Sequence, residues 1–152
     1  MISDWDAQYD KLYRYCYFKL GQPQAAEDIT QETLLRYWEH YHPLPQALAV
    51  KYLYTIARNL CVDEQRRQKT LPLQESLPAA PMEDRLLTEL TVHSALSALS
   101  MEDRELLLLR YVNDVPIGTI AKLLGLSRFA VYRRLKAAAQ HFRTQLNKED
   151  KP

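Results

Sequence analysis

Apolar residues recur at helical spacing along nearly the whole chain. The clearest pattern lies between residues 46 and 68, where apolar side chains stand at positions i, i+3, i+4 and i+7 of one helix face. These side chains are Leu53, Ile56, Ala57 and Leu60. Similar patterns predict helices over about residues 4–20 and 24–41. No stretch alternates between apolar and polar residues for long enough to predict a strand, so the sequence predicts an all-α fold.

A proline-containing stretch divides the chain into two parts. Residues 70–82 contain three prolines and no periodic apolar pattern, which is typical of a linker. We therefore predict two small helical domains, residues 1–69 and residues 83–152, joined by a flexible linker over residues 70–82.

The C-terminal part carries signals for four helices. Ser100 and Ser127 stand where N-caps are expected, and Pro116 suits the first position of a helix. Together with the apolar spacing, these signals predict helices over about residues 83–99, 101–112, 116–124 and 128–146. The segment Pro116–Leu135 is then a helix-turn-helix, in which Gly125 supplies the positive φ of a tight turn.

The predicted helix-turn-helix has an apolar seam and a basic face. The seam consists of Ile120, Ala121, Leu124, Leu126, Val131 and Leu135. Pointing away from it on the second helix are Arg128, Tyr132, Arg133 and Lys136. Such a helix can reach base edges in the major groove and hold phosphates, so the pattern predicts DNA binding. The alternative is a small helical bundle with a solvated basic face.

The overall composition conceals this local charge. The chain has 152 residues and a formal net charge of +1, a length that fits one ordinary domain or two very small ones. Residues 101–152 nevertheless hold 10 basic and 6 acidic side chains, and nucleic-acid binding depends on such a local face. The chain has only 3 glycines, which argues against a Gly-loop nucleotide binder.

Cysteine usage and hydropathy indicate the compartment. Cys16 and Cys61 are too few for a disulfide scaffold or a four-cysteine zinc site, so we expect reduced, mostly buried thiols. The N-terminus has neither the basic nor the apolar region of a secretory signal, and the longest aliphatic run, Leu106–Leu109, is far short of a membrane span. We therefore expect a soluble, cytoplasmic protein without direct membrane insertion.

The second predicted helix carries a mostly polar stripe opposite the expected core. The core face is predicted to contain Ala26, Ile29, Thr33, Leu34, Tyr37, Trp38 and Tyr41. The stripe consists of Asp28, Gln31, Glu32, Leu35 and Glu39. Leu35, apolar between carboxylates and an amide, would suit a basic partner helix with an apolar centre. An ordinary solvated face is the equal alternative from the stripe alone.

Aromatic and basic residues alternate along the third predicted helix. They are Tyr52, Tyr54, Arg58, Asn59, Arg66, Arg67 and Lys69. Such a set can stack unpaired bases and hold the backbone of single-stranded DNA. Spacing alone favours the simpler interpretation, in which at least one tyrosine packs into the core and the arginine pair is solvated.

The sequence gives little support to catalysis. His40 and His42 are close in sequence, but their i, i+2 spacing directs them to different sides of a helix, which makes them poor joint metal ligands. There is no zinc-protease motif, phosphate loop, or nucleophile with a spaced base. We predict no enzyme activity, no cofactor and no metal site; a metal-dependent enzyme using the two histidines is a minor alternative.

Taken together, these segments resemble the small alternative sigma factors of bacterial RNA polymerase, the extracytoplasmic-function (ECF) group of the sigma-70 family. Residues 21–38, which read GQPQAAEDITQETLLRYW, resemble the second conserved region of that family, and residues 52–67 resemble the stretch that follows it. Residues 96–135 resemble the fourth region. The resemblance implies promoter-specific transcription initiation without catalysis or a small-molecule substrate.

The resemblance also implies partners and contact residues. It places core polymerase, through the clamp helices of its largest subunit, on Asp28, Gln31, Glu32, Leu35, Arg36 and Glu39, and adds the flap of the second-largest subunit as a contact. It places the minus-ten promoter element on Lys51, Tyr52, Tyr54, Thr55, Arg58, Asn59, Arg66 and Arg67, with a flipped base captured near loop 43–50. It places the minus-thirty-five element on Ser127, Arg128, Phe129, Tyr132, Arg133 and Lys136. An anti-sigma protein, often membrane-bound, is a further expected partner.

The chain departs from the family pattern at a few positions. Tyr52 stands where tryptophan is usual, Gly118 and Thr119 replace an acidic pair, and Ala130 replaces threonine. Phe129 is unusual for an exposed position. The alternative to a sigma factor is a conventional dimeric helix-turn-helix regulator that binds a palindrome without polymerase.

Overall fold

The computed structural model of the chain describes residues 2, 4–70 and 94–150, with side chains up to residue 148. Within these ranges all regular structure is helical, which confirms the predicted all-α fold. The described residues form two compact units, one within residues 2–70 and the other within residues 94–150. Apart from Thr70, the predicted linker lies outside the described residues, so its limits remain a prediction.

The N-terminal unit is a bundle of three helices: α1 (Trp5–Leu20), α2 (Pro23–His40) and α3 (Gln46–Lys69). The Asp4 carboxylate caps α1 by accepting a hydrogen bond from the Ala7 N–H at 3.0 Å. Gly21 ends that helix with φ of +71°, and its N–H donates to the Tyr17 carbonyl. Glycine adopts this backbone conformation readily because it has no Cβ, which explains the sharp turn into α2.

The core of this unit contains tyrosine and threonine as well as aliphatic side chains. Its fully or almost fully buried members are Leu12, Tyr15, Cys16, Ala26, Thr30, Thr33, Tyr37, Ala49, Leu53, Tyr54, Ala57 and Cys61. The Thr30 and Thr33 hydroxyls donate to the carbonyls of Ala26 and Ile29, both at 2.7 Å. Because these hydroxyls are satisfied by the helix itself, they can be buried at little cost.

The core face of α2 differs from the predicted one at its C-terminal end. Trp38 and Tyr41 were predicted to be buried, but they are 47% and 39% exposed. The buried residues Ala26, Thr30, Thr33 and Tyr37 follow i, i+4, i+7 and i+11. This geometry rotates the two aromatic residues out of the core, so this part of the prediction is wrong.

Cys16 of α1 and Cys61 of α3 are buried free thiols, as predicted. A hydrogen bond with Cys61 lowers the pKa of the Cys16 thiol, burial raises it, and a hydrogen bond with Thr30 lowers it further. The pair therefore links all three helices in the centre of the unit.

The C-terminal unit contains α4 (Met101–Leu107), a π-helical turn (Leu108–Val112), α5 (Ile117–Leu124) and α6 (Arg128–Asp150). Residues 94–97 are also helical, whereas the earlier part of the helix predicted over residues 83–99 lies outside the described residues. The Ser100 hydroxyl accepts from the Asp103 N–H at 3.1 Å, and the Ser127 hydroxyl accepts from the Ala130 N–H at 3.0 Å. Both predicted N-caps are thus confirmed.

Two details of this unit differ from the prediction. The helix that begins at Met101 ends in a π-helical turn, in which the Asn113 N–H donates to the Leu108 carbonyl at 2.9 Å. Pro116 is the residue before α5 and not its first residue, because its ψ of 146° is extended. In the described part of the chain, no helix combines the length and apolar character needed to span a bilayer.

Candidate nucleic-acid and protein-binding surfaces

The helix-turn-helix of α5 and α6 forms around the predicted seam. Gly125 closes α5 with φ of +69°, and the Leu126 N–H donates to the Ala121 carbonyl at 2.9 Å. Fully or almost fully buried in the seam are Ile120, Ala121, Val131 and Leu135, while Leu124 and Leu126 are half-buried. The seam fixes which side of α6 faces solvent.

All the residues predicted to contact the minus-thirty-five element are exposed, five on α6 and one, Ser127, at its N-cap. Ser127, Arg128, Phe129, Tyr132, Arg133 and Lys136 are all exposed. Phe129 is 73% and Tyr132 61% exposed, which is high for aromatic side chains. The Arg133 guanidinium lies over the Phe129 ring, with its Cζ 5.6 Å from the ring centroid. The face is therefore both cationic and aromatic.

Arg128 makes a contact that the sequence did not predict. A Cβ added to Gly118 would lie 2.8 Å from Arg128 Nη2, so the guanidinium packs against the backbone of α5. The absence of a side chain at position 118 makes room for it. Gly118 therefore has a packing role, although glycine inside a helix is less stabilising than alanine.

On α3 four of the predicted minus-ten residues form a stripe along one side of the helix. Tyr52, Thr55, Asn59 and Arg66 are spaced at i, i+3, i+7 and i+14, and all four are exposed or half-buried. Lys51 and Arg58 are half-buried beside them. The Lys51 Nζ lies 5.4 Å from the Tyr52 ring centroid, which adds a cation to the stripe.

Tyr54 does not belong to this surface. Its side chain is fully buried, and its ring meets that of Tyr15 edge-on at 5.5 Å between centroids. It shares the inner face of α3 with Ala57 and Cys61, because these positions follow i, i+3 and i+7. The assignment of Tyr54 to DNA binding is therefore wrong; it is the tyrosine that packs into the core.

Arg67 is held by a neighbouring carboxylate. Its Nε and Nη2 donate to Glu64 at 3.0 and 2.6 Å. These hydrogen bonds from Arg67 lower the pKa of the Glu64 carboxyl, in spite of the opposing effect of burial. Because of this ion pair, Arg67 has less freedom than exposed Arg66 to reach a phosphate.

The polar stripe of α2 lies on its outer side as predicted. Asp28, Gln31, Leu35, Arg36 and Glu39 are exposed, and Glu32 is half-buried. Leu35 is 52% exposed at its centre. Arg36 Nε lies 2.8 Å from Glu32 Oε1, an i, i+4 ion pair that fixes one side of the stripe. The stripe thus surrounds one apolar side chain with charged and amide groups.

Two aromatic pairs that the sequence did not predict lie where α2 ends and α3 begins. The Trp38 and His42 ring centroids are 3.6 Å apart, and the Tyr41 and Tyr52 rings stack at 4.5 Å with 19° between their planes. We call Trp38, Tyr41, His42 and Tyr52 the aromatic shelf. The density of aromatic residues between positions 37 and 42 was the available signal, but it was assigned to the core.

The two histidines considered as metal ligands have different surroundings. His42 packs on Trp38, whereas the His40 Nε2 lies 3.9 Å from Glu39 Oε2 on the exposed end of α2. Among residues 4–70 and 94–148, no group of three or more histidine, cysteine or acidic side chains could hold a metal ion.

Comparison with known proteins identifies the class. The family model of Sigma-70 region 2 matches residues 5–70, and that of Sigma-70, region 4 matches residues 89–142. The matched segments contain the α2 and α3 surfaces and the helix-turn-helix, respectively. The chain therefore belongs to the sigma-70 family.

Individual relatives define the group within the family. The ECF RNA polymerase sigma factor SigL of Mycobacterium tuberculosis is 31% identical over 156 residues, which cover 96% of this chain and 88% of SigL. SigX of Bacillus subtilis, also an ECF sigma factor, is 24% identical over 156 residues, 90% of this chain and 80% of SigX. The chain is accordingly a sigma factor of the ECF group, which directs promoter-specific transcription. The resemblance stated from the sequence is confirmed.

A solved structure shares the fold. The sigma factor RpoE of Bartonella quintana, determined in complex with the anti-sigma factor NepR, matches with a TM-score of 0.68 and 21% identity. The match covers 99% of this chain and 100% of the RpoE chain.

Proposed function

We propose that this sigma factor binds core polymerase through the α2 stripe, opens the minus-ten element on α3 and the aromatic shelf, and reads the minus-thirty-five element with α6. In this proposal the chain performs no catalytic step and needs no cofactor. The observation that carries it is the exposure pattern: apolar and aromatic side chains that would ordinarily be buried face outward within the matched sigma regions.

The polymerase contact rests on the composition of the α2 stripe. An exposed leucine ringed by charged groups has the arrangement of an interface centre with a polar rim. Leu35 would meet an apolar side chain of the clamp helices, and the carboxylates of Asp28 and Glu39 would meet basic residues around it. The Glu32–Arg36 pair would orient the rim.

The minus-ten contact rests on the stack of Tyr41 on Tyr52. Unpairing a base costs a few kcal/mol, which stacking on an exposed aromatic face can repay. From Tyr52, the stripe on α3 continues to Arg66, about 21 Å further along the helix at 1.5 Å per residue. This length is sufficient to contact several nucleotides of a single strand. Asn59 and Arg66 would hold its backbone.

The proposal includes a regulatory partner and a location. The RpoE chain of Bartonella quintana is bound to an anti-sigma factor. We infer a comparable partner for this chain, one that covers the exposed apolar side chains of α2 and α6 until it is released. The protein would then act in the cytoplasm, either free or held near the membrane by that partner.

The test is in vitro transcription with purified core polymerase on a library of genomic fragments, with and without this protein. We expect discrete protein-dependent starts that share two spaced upstream motifs. Co-elution with core polymerase but no starts would contradict the melting role. A tight polymerase-free complex of a dimer with a palindrome would replace the proposal with a conventional repressor.

A further inference from the structure

We infer that Phe129 selects a thymine in the upstream promoter element by packing its ring against the C5-methyl group. This inference rests on the proposed function of α6. It adds a base preference to a surface that is otherwise assigned only as DNA-binding.

The position of Phe129 provides the first argument. It is the second residue of α6, and its side chain is 73% exposed on the side opposite buried Val131 and Leu135. The N-terminal half of a recognition helix is the part that meets base edges in the major groove. A phenylalanine there has no donor or acceptor to offer, and the thymine methyl is the apolar group that this groove presents.

Arg133 provides the second argument, since it limits the movement of the ring. Its guanidinium lies over the Phe129 ring, one helical turn further along. This cation–π contact places the guanidinium, with its N–H donors, beside one face of the ring. A guanine or phosphate next to the selected thymine would accept from those N–H groups.

Arg128 provides the third argument, because it is turned toward α5. Its Nη2 occupies the space beside Gly118, so the first side chain of α6 does not lie over the Phe129 ring. Phe129, the next residue of α6, is therefore 73% exposed without Arg128 covering its ring. The selected thymine should therefore lie at the end of the upstream element that faces the start of α6.

The test replaces thymine by deoxyuridine at single positions of the upstream element in an active promoter. Deoxyuridine pairs as thymine does but lacks the C5-methyl group. With the complete protein and core polymerase, we expect one position at which this replacement lowers initiation about fourfold, which converts to about 0.8 kcal/mol for one methyl-sized group. Phe129→Ala should lower initiation on the thymine template and remove the difference between the two templates.

Two controls separate the contact from general effects. Arg143→Ala changes an exposed residue of the same helix, four turns away, and should keep the full thymine-to-uracil ratio. Phe129→Leu keeps an apolar side chain and should retain part of it. The inference is overturned if no position responds to uracil in the wild type, or if the response persists in Phe129→Ala. If no template gives protein-dependent starts, the proposed function itself fails.

Discussion

Tyr52 and Tyr54 are two residues apart on α3 and therefore lie about 200° apart around the helix axis. Tyr54 is fully buried against Tyr15, whereas Tyr52 is stacked on Tyr41 at the surface. Because both are tyrosines, residue type alone could not show which of them is a core residue and which a binding residue. The two positions form a matched pair for mutation.

We expect Tyr54→Ala to lower the free energy of unfolding by about 3–5 kcal/mol, the usual cost of removing a buried aromatic ring. Tyr52→Ala should change stability little, but it should weaken promoter opening by about 1–3 kcal/mol, the contribution of one base–aromatic stack. Urea denaturation measures the first effect, and the fluorescence of a 2-aminopurine in the minus-ten element measures the second. Equal stability losses in both variants would refute the distinction.

Leu35 should dominate the polymerase contact. We expect Leu35→Arg to weaken binding to core polymerase at least tenfold, about 1.4 kcal/mol, because it places a charge at the apolar centre of the stripe. Fluorescence anisotropy of labelled protein titrated with core polymerase gives the affinity. The control is Tyr17→Arg, at a 40% exposed aromatic residue of α1 outside the stripe, which should bind normally. Normal binding by Leu35→Arg would place the contact elsewhere.

The Glu64–Arg67 ion pair should make part of the stability depend on pH. The folded-state pKa of Glu64 lies below its ordinary value of 4.5, so the stabilisation is present above that value and is lost as the pH falls through the folded pKa. We expect Glu64→Gln to be destabilising at pH 7 and less destabilising at pH 3, as measured by denaturation of the whole chain. In an Arg67→Ala background the difference between the two pH values should shrink; an unchanged difference would exclude the pair as its source.

At the scale of elements, helix ends were predictable because their signals are local. Asp4, Ser100 and Ser127 cap helices through contacts only three residues away, and Gly21 and Gly125 adopt the positive φ that ends a helix. Rotation of a helix about its axis was less predictable. Hydrophobicity placed Trp38 and Tyr41 in the core, but the buried face of α2 follows Ala26, Thr30, Thr33 and Tyr37 and leaves both aromatic residues outside it.

Gly118 within α5 and Gly125 at its C-cap should respond differently to substitution by alanine. Gly125→Ala should destabilise the C-terminal unit by about 1 kcal/mol, since φ of +69° strains a residue with a Cβ. Gly118→Ala should leave stability equal or slightly higher, because alanine favours a helix and only the flexible end of Arg128 must move. Gly118→Ala should instead weaken or alter binding of the upstream promoter element, because it displaces the Arg128 guanidinium. Thermal denaturation and promoter competition assays distinguish the two; a Gly118→Ala variant with unchanged promoter preference would contradict the packing role.

At the scale of the whole molecule, charge is distributed unevenly. Residues 101–152 hold 10 basic and 6 acidic side chains, although the chain as a whole has a net charge of +1. This distribution, rather than the isoelectric point, supports DNA binding by the C-terminal unit. The sequence predicted this much because charge needs no fold to be counted.

We expect the protein alone to bind promoter duplex weakly and the holoenzyme to bind it tightly. The exposed basic side chains predicted to meet the duplex on α6 are few, namely Arg128, Arg133 and Lys136, and each phosphate contact contributes a salt-dependent increment. Electrophoretic mobility shifts at two salt concentrations, with and without core polymerase, test this. Tight, polymerase-free binding would favour a conventional regulator.

The contact between Gly118 and Arg128 affects how promoter preference can be transferred from one sigma factor to another. A residue outside the reading helix determines where the first arginine of that helix lies. Grafting residues 127–136 onto another sigma factor with a side chain at the position of Gly118 should therefore transfer only part of the preference. The reading unit that is exchanged as a module is the pair of helices, and changes at Gly118 offer a route to new promoters without any mutation in the recognition helix.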